Sequence, residues 1–162
     1  MEKHMVARLM AKNDKYACSI ADRIIAESGE TDAWYAYFDD FVPLLDHQKS
    51  LVRNRALHIL AANARWDAEN RFDAVLPAYL AHVTDEKPIT ARQCIQALPQ
   101  IGKAKPQYIP LILRRLKNAD LSGYRDSMRP LIQRDIAEAA AILEKDLLAC
   151  REAGRAPSEG RS

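Results

Sequence analysis

Apolar residues recur at spacings typical of amphipathic helices along most of the chain, and short polar turns separate these stretches. The predicted helices lie at residues 6–10, 13–29, 31–46, 49–65, 72–83, 88–101, 106–116 and 127–149. Asn13 can cap the second helix, and Pro88 and Pro106 suit the first turns of two later ones. Gly29 and Gly102 are placed to end helices, and we expect a left-handed cap at such glycines. Strand-forming segments are scarce, so the sequence predicts an all-α domain.

Two of these helices begin with the same short pattern. Arg53 follows an apolar residue and lies 53 − 46 = 7 positions after Asp46, and Arg92 lies 92 − 85 = 7 positions after Asp85, a repeat of 92 − 53 = 39 residues. The helix at 49–65 also has a wide apolar arc, which predicts burial against two neighbouring helices. A repeat of this length predicts antiparallel helix pairs that stack on one another.

The repeat extends imperfectly to the rest of the chain. Arg129 lies 129 − 92 = 37 residues after the second arginine of the pattern, but the match fades at Asp135. A competing register aligns residues 38–43 with residues 72–77 at a period of 34. We prefer the arginine register, because the competing one places a proline near the end of one helix and near the start of the other.

A turn aspartate followed by an apolar residue and arginine resembles the second helix of a HEAT repeat. The resemblance is best at residues 46–60 and implies a right-handed α-solenoid of about four antiparallel helix pairs, a HEAT-like or armadillo-type superhelix with the second helices on its concave face. Residues 52–57 and 86–94 are similar to small bacterial HEAT-like proteins, some of which carry a label referring to the SufBD iron-sulfur scaffold. The scattered cysteines and the lack of strand-forming segments fit neither cluster ligation nor a β-rich scaffold.

Length and composition predict one domain at residues 1–150 and a disordered tail at residues 151–162, where almost nothing is apolar. Cys18, Cys94 and Cys150 are odd in number and far apart, which argues against disulfides and favours a cytoplasmic protein. Neither a secretory leader nor a membrane span is expected from the sequence.

Arg53, Arg92 and Arg129 recur once per repeat, so stacking is expected to place them in a row. We favour a structural ladder in which Asp46 and Asp85 pair with these arginines, and the alternative is a track that binds anions. The candidate binding residues of the groove are Arg53, Arg55, Lys87, Arg92, Gln93 and Arg129.

Charge is unevenly distributed although the chain carries a net charge of only +2. Residues 27–46 contain acidic but no basic side chains, whereas residues 103–134 are predominantly basic. We therefore favour a non-enzymatic scaffold that holds a protein partner in its groove, as a monomer or with weak self-association. A subunit or regulator of another chain's activity is equally consistent with the sequence.

The alternative function is nucleic-acid binding through the basic segment. It draws on a second resemblance, to HEAT-like DNA alkylation repair glycosylases, which hold duplex DNA on a basic concave face lined by aromatic residues and an acidic residue. Trp34, Trp66 and Asp67 are the candidates for such a constellation, although Trp66 also suits a position between helices.

Other chemistry lacks its usual sequence signature. His4, His47, His58 and His82 are too scattered for a metal site, and no phosphate-binding glycine motif occurs. His58 could face the groove or be a hydrogen-bonded structural residue, and Cys94 has the neighbours of a core residue. We therefore expect neither a metal nor a cofactor.

Overall fold

The computed structural model describes residues 3–159, with side chains from residue 4 to residue 154. This part of the chain is all-α and contains no strand. Its α-helices are α1 (Lys3–Arg8), α2 (Asp14–Ser28), α3 (Phe38–Phe41), α4 (Ser50–Asn63), α5 (Phe72–Ala81), α6 (Pro88–Ala104), α7 (Ile109–Lys117) and α8 (Arg129–Glu159). The prediction of an all-helical chain is therefore confirmed.

The start signals of several helices act as the sequence predicts. The Asn13 side chain accepts a hydrogen bond of 3.0 Å from the Tyr16 amide at the start of α2. Pro88 is the first residue of α6, and Pro106 begins a short 3₁₀ turn that leads into α7. Proline is tolerated at these positions because its missing N–H would have had no partner inside the helix.

The segment at residues 31–46 is not the single helix that its apolar pattern predicts. A 3₁₀ stretch at Ala33–Tyr37 leads into α3, and a second one follows at Val42–Asp46. Asp32 makes no capping hydrogen bond through its side chain, and Pro43 cannot donate a backbone hydrogen bond. Periodicity therefore identified the buried face of this segment but not its tighter winding.

Of the two glycines that the sequence marks as helix ends, Gly29 does follow the last residue of α2, but Gly102 does not end α6. Gly29 follows α2 with φ −70°, a right-handed conformation, so the predicted left-handed cap is wrong. Gly102 lies inside α6, which continues to Ala104. A Cβ at Gly102 would overlap with Leu143 of α8 and lie 3.1 Å from Ile109 Cγ1. The glycine therefore permits the close approach of α8 to α6.

The helices that carry the repeated pattern pack side by side in chain order. α4 contacts α2 on one side and α6 on the other, and α6 in turn contacts α8. The shorter elements, α3 with its flanking 3₁₀ turns, α5 and α7, pack against these helices. Ten of the fourteen residues of α4 are buried, which confirms the predicted burial against two neighbours.

The core is continuous between neighbouring helices. Phe38, Phe72 and Tyr79 are completely buried, and their rings meet edge to face at centroid distances of 5.1 and 6.2 Å. Such edge-to-face pairs add to the stabilisation from buried apolar area. The aromatic chain thus connects the 31–46 segment with α5.

The backbone shows no break at residue 150, the predicted end of the domain. α8 continues to Glu159, through most of the segment predicted to be a disordered tail. Residues 151–154 are exposed, in keeping with their polar composition, and residues 160–162 lie outside the described part of the chain.

Candidate binding cleft

Arg53 is a buried structural residue, with a side chain only 7% exposed. Its guanidinium donates to both carboxylate oxygens of Asp85, at 3.1 Å from Nε and 2.8 Å from Nη2. Nη1 donates to the backbone carbonyls of His47 and Gln48. The residue therefore ties the turn before α4 to the turn before α6, as in the ladder that the sequence predicts.

Asp85 is held by more than this arginine. It also accepts hydrogen bonds from the Lys87 amide at 2.8 Å and lies 2.7 Å from His82 Nδ1. Burial alone would raise the pKa of Asp85, but the hydrogen bonds from Arg53, the Lys87 amide and His82 outweigh it and lower the pKa. The carboxylate is therefore ionised and saturated with donors.

The other two arginines do not repeat this arrangement. Arg92 pairs with Asp135 of α8 at 2.6 Å rather than with a turn aspartate, and its side chain is 30% exposed. Arg129 binds its own neighbour Asp126, whose side chain is 92% exposed, and the Tyr124 carbonyl. Asp46 is exposed and forms no ion pair among the described residues. The predicted ladder thus exists at one step, and the three arginines lack a common role.

Arg55 is also structural. It is 7% exposed, donates to the Leu9 carbonyl at 2.9 Å and reaches Asp14 Oδ1 at 3.2 Å. Lys49 binds the same carboxylate at 2.5 Å. Hydrogen bonds from Lys49 and Arg55 lower the pKa of Asp14. These contacts fix the turn between α1 and α2 against α4.

Next to Arg55, residues of helices α2, α4 and α6 line an open cleft of about 640 Å³, which we call the α2–α4–α6 cleft. Its lining comprises Asp14, Lys15, Cys18, Ala21, Asp22, Ile25, Leu51, Asn54, Arg55, His58 and Gln93. Cys18, Ala21 and Ile25 recur at helical spacing on α2 and face Leu51, which is 41% exposed. The floor of the cleft is therefore apolar and its rim polar.

Two polar side chains of the cleft have hydrogen-bonding capacity left over. His58 Nε2 contacts Gln93 Oε1, which can only accept, so the histidine donates and its Nδ1 is left as an acceptor in the neutral form. The buried Oδ1 of Asn54 has no hydrogen-bond partner in the described part of the chain. Of these two, His58 can orient a ligand that covers the apolar floor, because the Asn54 oxygen is closed off from solvent.

Sequence reasoning placed Gln93 in a groove but missed the α2 side of this cleft. Its signal is the spacing of Cys18, Ala21 and Ile25, which are three or four residues apart on α2; Ala21 is buried, whereas Cys18 and Ile25 are not fully buried. The arginine pattern that predicts the groove does not extend to α2. Lys87 is exposed but lies elsewhere, beside Tyr124 and Arg125 in a second depression of about 460 Å³.

The candidates for a DNA-binding constellation are occupied with internal contacts. Trp34 is 4% exposed and donates from Nε1 to Glu27 at 2.7 Å. Trp66 is half-buried and donates to the Ser28 carbonyl at 2.7 Å, in agreement with a position between helices.

Asp67 is 2% exposed and is a hub of hydrogen bonds. It accepts from the Tyr35 hydroxyl, from the amides of Arg71 and Phe72, and from Lys105 Nζ. Burial would raise the pKa of Asp67, but these donors outweigh it and lower the pKa. The structure brings neither tryptophan together with Asp67 in an open site.

Cysteine and metal chemistry find no site among residues 3–159. Burial raises the pKa of the Cys94 thiol, which contacts the Tyr79 carbonyl, and it therefore favours the unreactive protonated form. In the described part of the chain, His, Cys, Asp and Glu side chains form no group able to hold a metal ion. Within the same residues, no helix has the length and apolar character needed to cross a membrane.

Comparison of the chain with family models, with curated proteins and with solved structures finds no match.

Proposed function

We propose that this protein is a non-enzymatic binding module whose helix pairs stack as a HEAT-like α-solenoid and whose concave groove holds a helical segment of a protein partner. The observation that carries the proposal is the α2–α4–α6 cleft, with its apolar floor and with His58 on its lining. Supporting observations come from the contacts between successive units and from the shape of the cleft.

The polar contacts between units support the stacked arrangement. Arg53 and Asp85 are 32 residues apart, Lys105 and Asp67 are 38 apart, and Tyr124 reaches the Asp85 carbonyl across 39 residues. In a solenoid, each unit contacts only its sequence neighbours, so contacts concentrate near one repeat length. The second and third of these separations fall close to the 39-residue period of the sequence.

The cleft has the dimensions and the surface that suit a helix in a groove. An amphipathic helix presents apolar side chains at three- and four-residue spacing, and Cys18, Ala21 and Ile25 offer a floor with the same spacing. Asp22 is exposed on the rim and has no cationic partner among the described residues, so it favours a ligand with a basic residue at one end.

Peptide selection on the purified protein tests this function directly. A displayed library of helical peptides is selected on the unmodified protein, and individual peptides are then titrated against variants. We expect Leu51→Asp to weaken binding by at least about tenfold, because a carboxylate would enter the apolar floor. Leu111→Asp is the matched control, since Leu111 is 43% exposed and lies on α7, outside the cleft.

Two results would contradict the proposal. One is a selection that returns no binding peptide, and the other is a set of peptides that bind the Leu51→Asp and Leu111→Asp variants equally well. Thermal unfolding of both variants should match the parent, because both positions are exposed.

Nucleic-acid binding is a second candidate, supported by the exposed cations of residues 103–134. Lys103, Arg114, Lys117, Arg125 and Arg134 are exposed, whereas Lys105 is buried against Asp67. A titration with duplex DNA and with RNA at two salt concentrations tests it, since phosphate contacts make affinity fall steeply with salt. Absence of binding at low salt would exclude this function.

A further inference from the structure

A second groove runs between α7 and α8, at the opposite end of the row of helices from α2. It has a volume of about 470 Å³, and its apolar lining consists of Leu113, Leu116, Ile136 and Ala140. Leu148 lies one turn beyond the groove's α8 side and is 58% exposed. Leu113, Ile136 and Ala140 are partly exposed and Leu116 is buried, so this end of the fold presents a partly exposed apolar surface.

The other end of the row is covered differently. There α1 packs on α2, and Met5 and Val6 of α1 and Leu9 of the turn after it are 8%, 7% and 0% exposed. A terminal helix pair in a stacked fold needs such a cover, because its outer face would otherwise expose apolar side chains to water. α8 has no equivalent of α1 in the described part of the chain.

The charges around the α7–α8 groove are divided between its two helices. Arg114 and Lys117 line it from α7, whereas Glu144 lines it from α8. All three side chains are exposed, and none forms an ion pair within the described residues. The groove thus has a basic side and an acidic side with an apolar floor between them.

Such a surface is complementary to itself. A two-fold axis parallel to the groove would place α7 of one copy against α8 of the other, so that a basic side meets an acidic side twice. The exposed Leu148 and the partly exposed Leu113 and Ile136 would pack between the copies, and the charges would form the rim, as in typical interfaces. We propose that two copies of this chain associate through their α7–α8 grooves to form a symmetric dimer.

Charge reversal with rescue tests the dimer. The association constant of the full chain is measured by sedimentation equilibrium over a wide range of protein concentration. We expect Glu144→Arg alone, and Arg114→Glu with Lys117→Glu, each to weaken association by about tenfold or more, because like charges would then face each other. Combining all three substitutions should restore association, since the charges are exchanged but remain complementary.

Leu148 and Ile142 provide a matched pair on α8. Both are exposed, at 58% and 48%, but they are six residues apart and therefore lie on different sides of the helix. Leu148→Asp should weaken the dimer, and Ile142→Asp should not. The Leu51→Asp variant, which lies in the α2–α4–α6 cleft, should dimerise like the parent, so the dimer is tested independently of the proposed function.

Three outcomes would overturn the inference. The first is a parent protein that remains monomeric at every concentration, and the second is a dimer that neither charge reversal weakens. The third is a triple variant that fails to regain association, although Glu144→Arg and the variant with Arg114→Glu and Lys117→Glu each remain folded. Circular dichroism and thermal unfolding confirm folding of each variant. We expect no large loss of stability, since the substituted side chains are exposed.

Discussion

The ion pair between Arg53 and Asp85 is a buried contact whose loss should cost substantial stability. Asp85→Asn keeps the size of the side chain but removes the negative charge opposite a buried guanidinium. The Arg53 and Asp85 side chains are 7% and 4% exposed, so water cannot readily replace the lost carboxylate. The side-chain NH₂ group of the asparagine would also be a donor, at a place where Arg53, the Lys87 backbone amide and His82 already donate.

The expected cost follows from the burial of the pair. Removing one partner of a buried ion pair destabilises a protein by about 3–5 kcal/mol, and the remaining acceptor oxygen of asparagine favours the lower end. About 3 kcal/mol is a large part of a typical total stability of about 5–15 kcal/mol. For a chain of this size, it lowers the unfolding midpoint by about 6–12 °C.

Urea unfolding followed by circular dichroism measures this effect, together with thermal unfolding. Asp126→Asn is the control, because it removes the partner of Arg129 at a side chain that is 92% exposed, and it should leave the midpoint unchanged. The double variant Arg53→Met with Asp85→Leu should recover part of the loss, since it leaves no unpaired charge. Recovery is incomplete because the His47 and Gln48 carbonyls also lose the Arg53 donor.

The reasoning would be refuted if Asp85→Asn unfolded at the same urea concentration as the parent. Equal losses for the Asp85→Asn and Asp126→Asn variants would also refute it, because burial would then make no difference to the pair.

Three further predictions concern other features of the fold. Gly102→Ala should destabilise the protein by about 1–3 kcal/mol, because the added Cβ would overlap with Leu143. Gly123→Ala is the control and should leave stability unchanged, because Gly123 has open space around it. Equal urea midpoints for the two variants would contradict the close approach of α8 to α6 at Gly102. Asp67 and Asp85 have folded pKa values below an unfolded value of about 3.9, so their stabilisation is present above that pH and is lost as the pH falls through the folded values. Urea midpoints measured from neutral to acidic pH should therefore fall less steeply for Asp85→Asn than for the parent, and parallel curves would argue against it. A thiol reagent should modify Cys18 and Cys150 quickly in the native protein and Cys94 only on unfolding, and mass spectrometry that finds early labelling of Cys94 would contradict its burial.

The sequence predicted the helices well where periodicity and local caps agree. Asn13, Pro88 and Pro106 act near helix starts, as their side-chain chemistry requires. Gly102 was misjudged because the absence of a Cβ serves two purposes that a sequence does not distinguish. One is a left-handed backbone, and the other is the close approach of a neighbouring helix, which depends on tertiary packing.

Candidate site residues were harder to assign because the burial of a cation is not a local property. Arg53 and Arg55 occupy one helix with Leu51 and His58, and their charge made them candidates for a groove. The structure buries both arginines against backbone carbonyls and carboxylates of other segments, and of the two only Arg55 contributes to the cleft, beside Leu51 and His58. Which side of a helix stays open depends on where its neighbours end.

The sequence by itself determined the helical class, most helix positions and the 39-residue spacing of Arg53 and Arg92, because these depend on short-range periodicity and capping. Tertiary structure alone decided that Arg53 pairs with Asp85 while Arg92 reaches Asp135. It also decided that α2 contributes one side of a cleft and that the α7–α8 groove stays uncovered. The physical reason is that pairing and exposure depend on distances between units that are 30 or more residues apart, which no local pattern encodes.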